Sequence, residues 1–357
     1  MNICVVAKGF PPEVGGVEEY SNAIYLNLRE VFSGKLSAYV FTNESKKEVD
    51  FVCIEKSSFE IVNFMKLFYL ILKDKNADNL FWATTWKVAL PLFLLRKKYI
   101  VTAHGNEFLR PGIILSKLMK QVYRKAKKIV CVSNYTRSRL ISRLKIVRDN
   151  KVVVAHNGIS KKFGKTILKS SGYGGNITFY TVCRLEKRKN IEKAIIAFEK
   201  FVRKNNINAT YKIAGTGSEE DQLKLLVQNL SIEDKVQFYG YINEEDLLLL
   251  HTSSDIFLHP NIELNLYSDV EGFGLVVADA AACGNIPIVG KSGGPKEIVE
   301  VLSYGYAIDG NNVDEIVHAM EECLKDGFTA NDRIQRKNKA VSSFNWKKHV
   351  LEAIRDL

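Results

Sequence analysis

No stretch of this 357-residue chain is apolar for long enough to cross a bilayer as a helix. The greasiest segment, FEIVNFMKLFYLILKDK from Phe59 to Lys75, is broken by Glu60 and Lys66. The opening MNICVVAKGFPPEVGG lacks the basic start, long apolar centre and small-residue cleavage site of a secretory signal, and reads instead as a buried strand entering a glycine loop. Cysteine is sparse: Cys4, Cys53, Cys131, Cys183, Cys283 and Cys323 lie far apart, with no CxxC pair. That pattern argues against a disulfide frame or a zinc site and for small core residues in a reducing compartment. The six histidines show no HExxH or comparable spacing, which argues against a histidine metal site. No GK[ST] follows the first glycine loop, so it is not a P-loop. Together these absences place the expected protein in the cytoplasm.

What is present is ordinary in bulk and uneven in charge. A hydrophobic content of 46% and a charged content of 25% describe a folded globular protein, and the length suits two domains better than one core. The net charge is +11, and no acidic residue occurs from Phe108 to Arg148, where Arg110, Lys117, Lys120, Arg124, Lys125, Lys127, Lys128, Arg137, Arg139, Arg143, Lys145 and Arg148 all fall. Such a block predicts attraction to a polyanion: a membrane leaflet, a nucleic acid or a phosphorylated substrate. The plainer alternative is a solvated basic face.

Strand-like and helix-like runs alternate along the chain. NICVVAKG, LSAYVFT, NLFWAT, KYIVTAH, KIVCVS and KVVVAHNG are apolar runs bounded by turns, as parallel strands buried on both faces require. After the glycine- and serine-rich Lys169 to Gly175 the alternation restarts with ITFYTVCRL, TYKIAGTG, KVQFYGYI, DIFLHPN and IPIVGKSGG. The expected fold class is therefore α/β, with two doubly wound, Rossmann-like domains at residues 1–170 and 171–339 and a cleft between them.

Ligands of open parallel sheets bind beyond the carboxyl ends of the strands, so the strand-exit residues are the candidates. Gly15 and Gly16 precede a helix and either offer backbone amides to a ligand or make a plain tight turn. His104, followed by Gly105 and Glu107, either hydrogen-bonds a substrate hydroxyl or is satisfied within the fold. Arg184 leaves a buried strand and Lys189 opens a helix, a pairing suited to clamping a diphosphate; with Lys187 and Arg188 beside them, the plainer alternative is that some of these charges are only solvated. Gly215 and Gly217 mark a further strand exit. In EGFGLVVAD, Gly272 and Gly274 flank Phe273 at a helix start, so amides near Phe273, Gly274 and Leu275 can face a phosphate oxygen. Glu271 precedes that turn, and Asp279 is an acid in an otherwise apolar helix. Ribose hydroxyls would satisfy it, and so would a neighbouring loop that it caps.

The order of these pieces resembles a known family. Glu271 and Asp279 are similar to the E-x7-E signature of family-4 retaining glycosyltransferases of the GT-B fold. HGNE, VSNYT, HNGIS, RLEKRKN, AGTG, EGFG, GGPKEIV and FNW follow in that family's order. SDVEGFG, HGNE and the Arg184-to-Lys189 spacing are most similar to bacterial GDP-mannose-dependent phosphatidylinositol mannoside mannosyltransferases. The resemblance implies two Rossmann-like domains facing across a cleft, with a last helix near 340–357 packing back on the first. It implies a nucleotide-sugar donor, with mannose from GDP-mannose before a UDP-sugar, and a glycan or lipid-linked acceptor. Arg184 and Lys189 would carry the leaving group's charge, Glu271 would hold the donor sugar, Asp279 the ribose, and His104 would lie near the reaction centre. With no two aspartates two apart, no D-x-D metal site or other cofactor is expected.

Three departures stand out: Asp279 replaces the second Glu, Asn190 the glycine after Lys189, and Pro260-Asn261 the usual PS. The basic 108–148 stretch and the Phe59–Leu72 helix fit a peripheral enzyme on the cytoplasmic face of an anionic membrane. Two other classes compete. A nucleotide-sugar epimerase of the same architecture fits poorly with EGFG and FNW. A nucleic-acid binder would need more aromatics around the basic block than Tyr123 and Tyr135.

Overall fold

The computed structural model describes residues 2–11, 13, 15–42, 51–105, 112–145, 149–165, 176–264 and 270–357. The chain divides into two compact units, one built from Met1–Gly158 with Asn345–Leu357 and the other from Ile159–Phe344. The glycine- and serine-rich stretch at Lys169–Gly175, Glu107 of the HGNE segment, and Ser268 and Asp269 of SDVEGFG lie outside the described residues.

The first unit is a seven-stranded parallel sheet. Its strands are β1 (Asn2–Ala7), β2 (Leu36–Thr42), β3 (Phe51–Glu55), β4 (Asn79–Ala83), β5 (Tyr99–Ala103), β6 (Lys128–Cys131) and β7 (Val152–Val154), in the order β3-β2-β1-β4-β5-β6-β7. The helices are α1 (Gly16–Val31), α2 (Glu60–Lys73), α3 (Trp86–Leu94), α4 (Ile113–Lys125) and α5 (Asn134–Leu144), with the last helix of the chain, Trp346–Ile354, packed on α1. A buried polar chain ties that last helix into the core. Burial lowers the His349 imidazole to about 3, so the ring is neutral. Its Nδ1–H donates to the His156 carbonyl at 3.1 Å, which leaves Nε2 to accept from the Tyr20 hydroxyl at 3.0 Å. Tyr20 in turn meets Thr102 at 2.9 Å, and Trp82 Nε1 donates to the same threonine oxygen at 3.0 Å. Every polar atom of this chain is satisfied, as burial demands.

The second unit is a six-stranded parallel sheet of β8 (Ile177–Val182), β9 (Ala209–Ala214), β10 (Val236–Gly240), β11 (Ile256–His259), β12 (Ile286–Gly290) and β13 (Tyr306–Ile308), in the order β10-β9-β8-β11-β12-β13. Around it lie α6 (Lys161–Lys165), α7 (Ile191–Asn205), α8 (Glu220–Asn229), α9 (Glu244–Thr252), α10 (Leu275–Ala282), α11 (Pro295–Leu302), α12 (Val313–Cys323) and α13 (Ala330–Ser343). The strand order reverses between β8 and β11, which is where a doubly wound sheet opens a binding crevice.

Arg333 of α13 fastens the far side of this unit. Its buried guanidinium donates through Nη2 to the carbonyls of Thr252, Ser254 and Cys283 and to Asn285 Oδ1, at 3.0–3.3 Å, and Nη1 lies 3.6 Å from Asp255. Asp255 also accepts from the Thr178 amide at 2.9 Å. Asn285 donates to the Tyr180 hydroxyl and the His251 carbonyl, and that hydroxyl meets His251 Nδ1 at 2.7 Å. The network joins the ends of α9, α10 and α13 to β8.

Candidate active site

The site of the second unit is built on backbone contacts between strand-exit loops. Beyond β8 the chain passes Arg184 and Leu185 into a 3-10 turn at Lys187–Lys189 and then into α7. Gly215 and Gly217, at the exit of β9, lie directly against this segment. A Cβ would fall 1.8 Å from the Cys183 carbonyl oxygen at the first and 2.3 Å from that of Leu185 at the second. That close approach accounts for both glycines without a ligand. Beyond β12 the Gly293-Gly294 turn presses on the EGFG turn: Gly293 has φ +90, and a Cβ there would fall 2.5 Å from the Glu271 carbonyl oxygen. The Gly294 amide donates to that same oxygen at 2.8 Å. Glu271 is thus fixed at its backbone.

Two of the departures from the family pattern are stitches in this frame. Asn190 sits in the left-handed region (φ 58, ψ 38), where glycine or asparagine is best tolerated. Its side-chain amide donates to the carbonyls of Pro260 (3.1 Å) and Gly310 (2.6 Å). Asn261 donates to the Ser292 carbonyl at 2.7 Å and accepts from the Gly290 amide at 3.2 Å, holding the β11 exit against β12.

On this frame stands a ladder of charges. Arg184 Nη1 is 3.1 Å from Glu186 Oε1, and Arg188 Nε is 3.2 Å from Glu186 Oε2. Arg188 Nη1 donates to Glu271 Oε2 at 2.6 Å, and Lys189 Nζ donates to the same oxygen at 2.5 Å. Among the described residues no protein donor reaches the other oxygen, Oε1. Burial pushes the Glu271 carboxyl up, but Lys189, His259 and Arg188, with the Lys189 hydrogen bond, overcome it and hold the group well below the usual carboxylate range. His259, the last residue of β11, stacks near Phe257 (5.7 Å, 17°), and neither ring nitrogen meets a protein partner. Burial first, then the charge of Lys189, lowers it to about 3, so it is neutral at pH 7.

The side chains of Lys189 and Arg188 are 7% and 8% exposed, whereas that of Arg184 is 74% exposed. The pair expected to face a ligand, Arg184 and Lys189, therefore divides into one open and one buried cation, and the cation buried beside Lys189 is Arg188, to which the sequence pattern assigns no role. Gly274 caps α10 in the left-handed region (φ 95), Leu275 opens the helix, and the Phe273 ring is buried edge-on against Phe344. Asp279, half-buried, accepts from the Ser160 amide at 3.3 Å. It caps a neighbouring loop, one of the two roles its position allowed.

The remaining expected site residues belong to the first unit. His104, just past β5, is half-buried; its Nε2 meets the Thr84 carbonyl at 2.8 Å and its ring stands edge-on to Tyr20 at 4.7 Å. Gly15 caps α1 and Gly16 begins it, and a Cβ on Gly15 would fall 2.2 Å from the Glu18 carboxylate. The anion beside this helix start is thus the protein's own. Of the basic block, Lys128 is buried, with its ammonium donating to the Arg355 carbonyl, and does not belong to a basic surface.

The second unit thus holds cations, helix-start backbone and a fixed carboxylate at its strand-switch point. Residues 165–340 match the family of glycosyl transferases group 1, and residues 40–163 match Glycosyltransferase Family 4. The chain belongs to the family-4 glycosyltransferases of the GT-B fold. It is 25% identical over 353 residues to the GDP-mannose-dependent monoacylated alpha-(1-6)-phosphatidylinositol monomannoside mannosyltransferase of Corynebacterium glutamicum, covering 90% of this chain and 88% of that one. Among solved structures it is similar to a sucrose-phosphate synthase from Thermosynechococcus elongatus (TM-score 0.77, 16% identity, 98% and 96% of the two chains covered). It is also similar to an Anabaena protein crystallised with UDP-glucose (TM-score 0.73, 19% identity, 99% and 98% covered).

Proposed function

We propose that this glycosyltransferase moves mannose from GDP-mannose, with retention of configuration and without a metal, to a hydroxyl of a glycan or lipid-linked acceptor. The observation that carries the reading is Glu271, whose Oε2 holds two cations while Oε1 takes no protein donor among the described residues. Oε1 accepts from hydroxyls of the donor sugar. Arg184, Lys189 and the amides of Phe273, Gly274 and Leu275 take up the negative charge that grows on the diphosphate as the glycosidic bond breaks. The acceptor oxygen bonds to the anomeric carbon from the same side, and its proton passes to the departing phosphate. A cavity of about 330 Å³ beside the ladder, lined by Leu185, Asn190, Ile191 and Leu264 together with Glu192 and Glu219, receives the nucleoside. The C. glutamicum relative is described as GDP-mannose-dependent, which agrees with the choice of GDP-mannose, whereas the Anabaena protein holds a UDP-sugar. Calorimetric titration in EDTA with GDP-mannose, UDP-glucose and UDP-N-acetylglucosamine tests it. Saturable binding of GDP-mannose alone is expected. A UDP-sugar as the sole ligand would keep the reaction and discard mannose, and no binding across the panel would overturn the reading.

The acceptor side of the proposal is a lipid surface. In α2 only Leu67 and Ile71 are buried, while Phe59, Ile61, Met65, Tyr69 and Leu72 are each more than half exposed. Both α2 and α4 pack on α3, and α4 presents exposed Ile114 and Leu115 beside Lys117, Arg124 and Lys125. An apolar stripe next to acid-free basic residues matches an anionic leaflet, where each lysine or arginine contributes about 1 kcal/mol. Among the described residues no helix is long and apolar enough to cross a membrane, so the contact would be peripheral, on the cytoplasmic face. Co-sedimentation with vesicles containing anionic phospholipid is expected, with little binding to zwitterionic vesicles and loss of binding in Ile61→Glu/Met65→Glu. Failure to bind the anionic vesicles sinks the lipid assignment.

A further inference from the structure

Two cations converge on one oxygen of Glu271, yet they are not equivalent. Lys189 is a point charge on a flexible stem, and Glu271 is its one ion-pair partner. The Arg188 fork is spread over two carboxylates, with Nε on Glu186 and Nη1 on Glu271. An arriving diphosphate offers Lys189 a stronger anion than a single carboxylate does. Once Lys189 turns to it, Glu271, with a side chain 18% exposed, would be left ionised with no counter-ion unless a second cation stayed behind. Arg188 is placed to stay: its side chain is 8% exposed and tied at both ends of the fork. Arg184, 74% exposed with Glu186 as its carboxylate partner, is the cation free to swing toward a ligand.

We propose that Arg188 is a positioning residue that remains on Glu271 when Lys189 is drawn to the donor diphosphate, keeping the carboxylate charged and its Oε1 available to the donor sugar. This rests on the nucleotide-sugar reading above. Lys189 is the transferable counter-ion and Arg188 the resident one. Glu186 completes the device, because it keeps Arg188 in place when Arg184 leaves it. The groups that face the Glu271 carboxylate are Lys189 and Arg188 from the 3-10 turn, His259 from the end of β11 and the Cys183 thiol from the exit of β8. Of these, His259 and Cys183 are neutral at pH 7, so among the described residues Arg188 supplies the positive charge left on that carboxylate once Lys189 is occupied.

The test compares Arg188→Gln, Arg188→Lys and Lys189→Met with the wild-type chain, using GDP, GDP-mannose, UDP and UDP-glucose as probes. Arg188→Gln is expected to bind the bare nucleoside diphosphate within about threefold of wild type, since Lys189 and Arg184 remain. It should also lose the added affinity conferred by the sugar and lower kcat on the order of a hundredfold. Arg188→Lys should fall between, because an ammonium cannot bridge two carboxylates. The pH profile separates this role from a merely structural one. Glu271 works ionised, so activity is lost as pH falls through its value in the bound state. Removing Arg188 raises that value, and the acid limb of kcat moves to higher pH. If Arg188→Gln loses the nucleoside diphosphate as fully as Lys189→Met does, Arg188 is a phosphate ligand and the proposal fails. An unmoved acid limb at reduced kcat overturns it as well, and Arg188→Lys, which keeps the charge, supplies the same comparison should the glutamine variant not fold. Absence of any nucleotide binding by the wild-type chain marks a failure of the underlying reading instead.

Discussion

Exchanging Lys189 for methionine is expected to lower kcat/KM for sugar transfer by on the order of a hundredfold or more, with the fold intact. In the free protein Lys189 donates to Glu271 Oε2, but Arg188 donates to the same oxygen. Its removal therefore does not strand a buried carboxylate. Methionine fills much of the same volume with an apolar stem, so the frame of Asn190, Asn261 and the paired glycine turns has no reason to move. What is lost is the charge that meets the diphosphate, and the loss should appear in nucleoside diphosphate affinity as well as in turnover. The carboxyl of Glu271, now held by one cation, rises. A carboxylate held below its unfolded value contributes stability that is complete above the unfolded value and fades as pH falls through the folded one. The variant's unfolding midpoint should thus lie below wild type near pH 8, with the gap narrowing as pH falls into acid. Steady-state kinetics beside thermal unfolding at two pH values checks both halves. Wild-type turnover in the methionine variant would remove Lys189 from the chemistry.

Replacing Arg333 by methionine should have the largest effect on stability, about 3–5 kcal/mol, because it breaks a buried charge network from one side. Three carbonyls and Asn285 Oδ1 lose a donor, and Asp255 loses its cation. Burial already raises the Asp255 carboxyl, against the opposing pull of the Thr178 amide and Arg333. Without Arg333 it rises further. An acid raised above its unfolded value costs stability at high pH and ceases to cost anything once both states are protonated. The deficit of the variant should therefore be greatest at neutral pH and above and shrink toward pH 4. Urea unfolding at both pH values gives the difference, with an unchanged slope as the sign that the unfolded state is the same. A deficit below about 1 kcal/mol at pH 7 would mean that Asp255 finds another partner.

Much of this architecture was legible before any coordinates. Most of the apolar runs from NICVVA to IPIVG became central strands because burial on both faces leaves a strong, uniform signal, and KVVV and KVQFYG became the edge strands β7 and β10. The edge strands β3 and β13 were not read, being short and half-exposed, so their sequence carries less of that signal. At the site, Glu271 and the Arg184-to-Lys189 spacing pointed to one end of the sheet. Which of four consecutive charged residues turns inward did not follow. A 3-10 turn of three residues has no amphipathic period, and its direction is set by the left-handed Asn190 and by carbonyls supplied 70 and 120 positions away. For that reason the sequence assigns Arg188 no role, although it is buried between two acids. The same non-locality hid Lys128, whose partner is the Arg355 carbonyl, 227 positions distant.

The first unit draws its final helix from the end of the chain, with the whole second unit, Ile159–Phe344, spliced between. A ribosome adding about 5–20 residues per second delivers these parts in a fixed order. Residues 1–158 emerge while Tyr20 still lacks His349, so the hydroxyl at the centre of that core waits for the 186 residues of the other unit to be made. The second unit is continuous and can close as soon as it is clear of the ribosome. The half that appears first is thus the half that finishes last, and an incomplete chain carries its second unit already formed while the core of the first remains open.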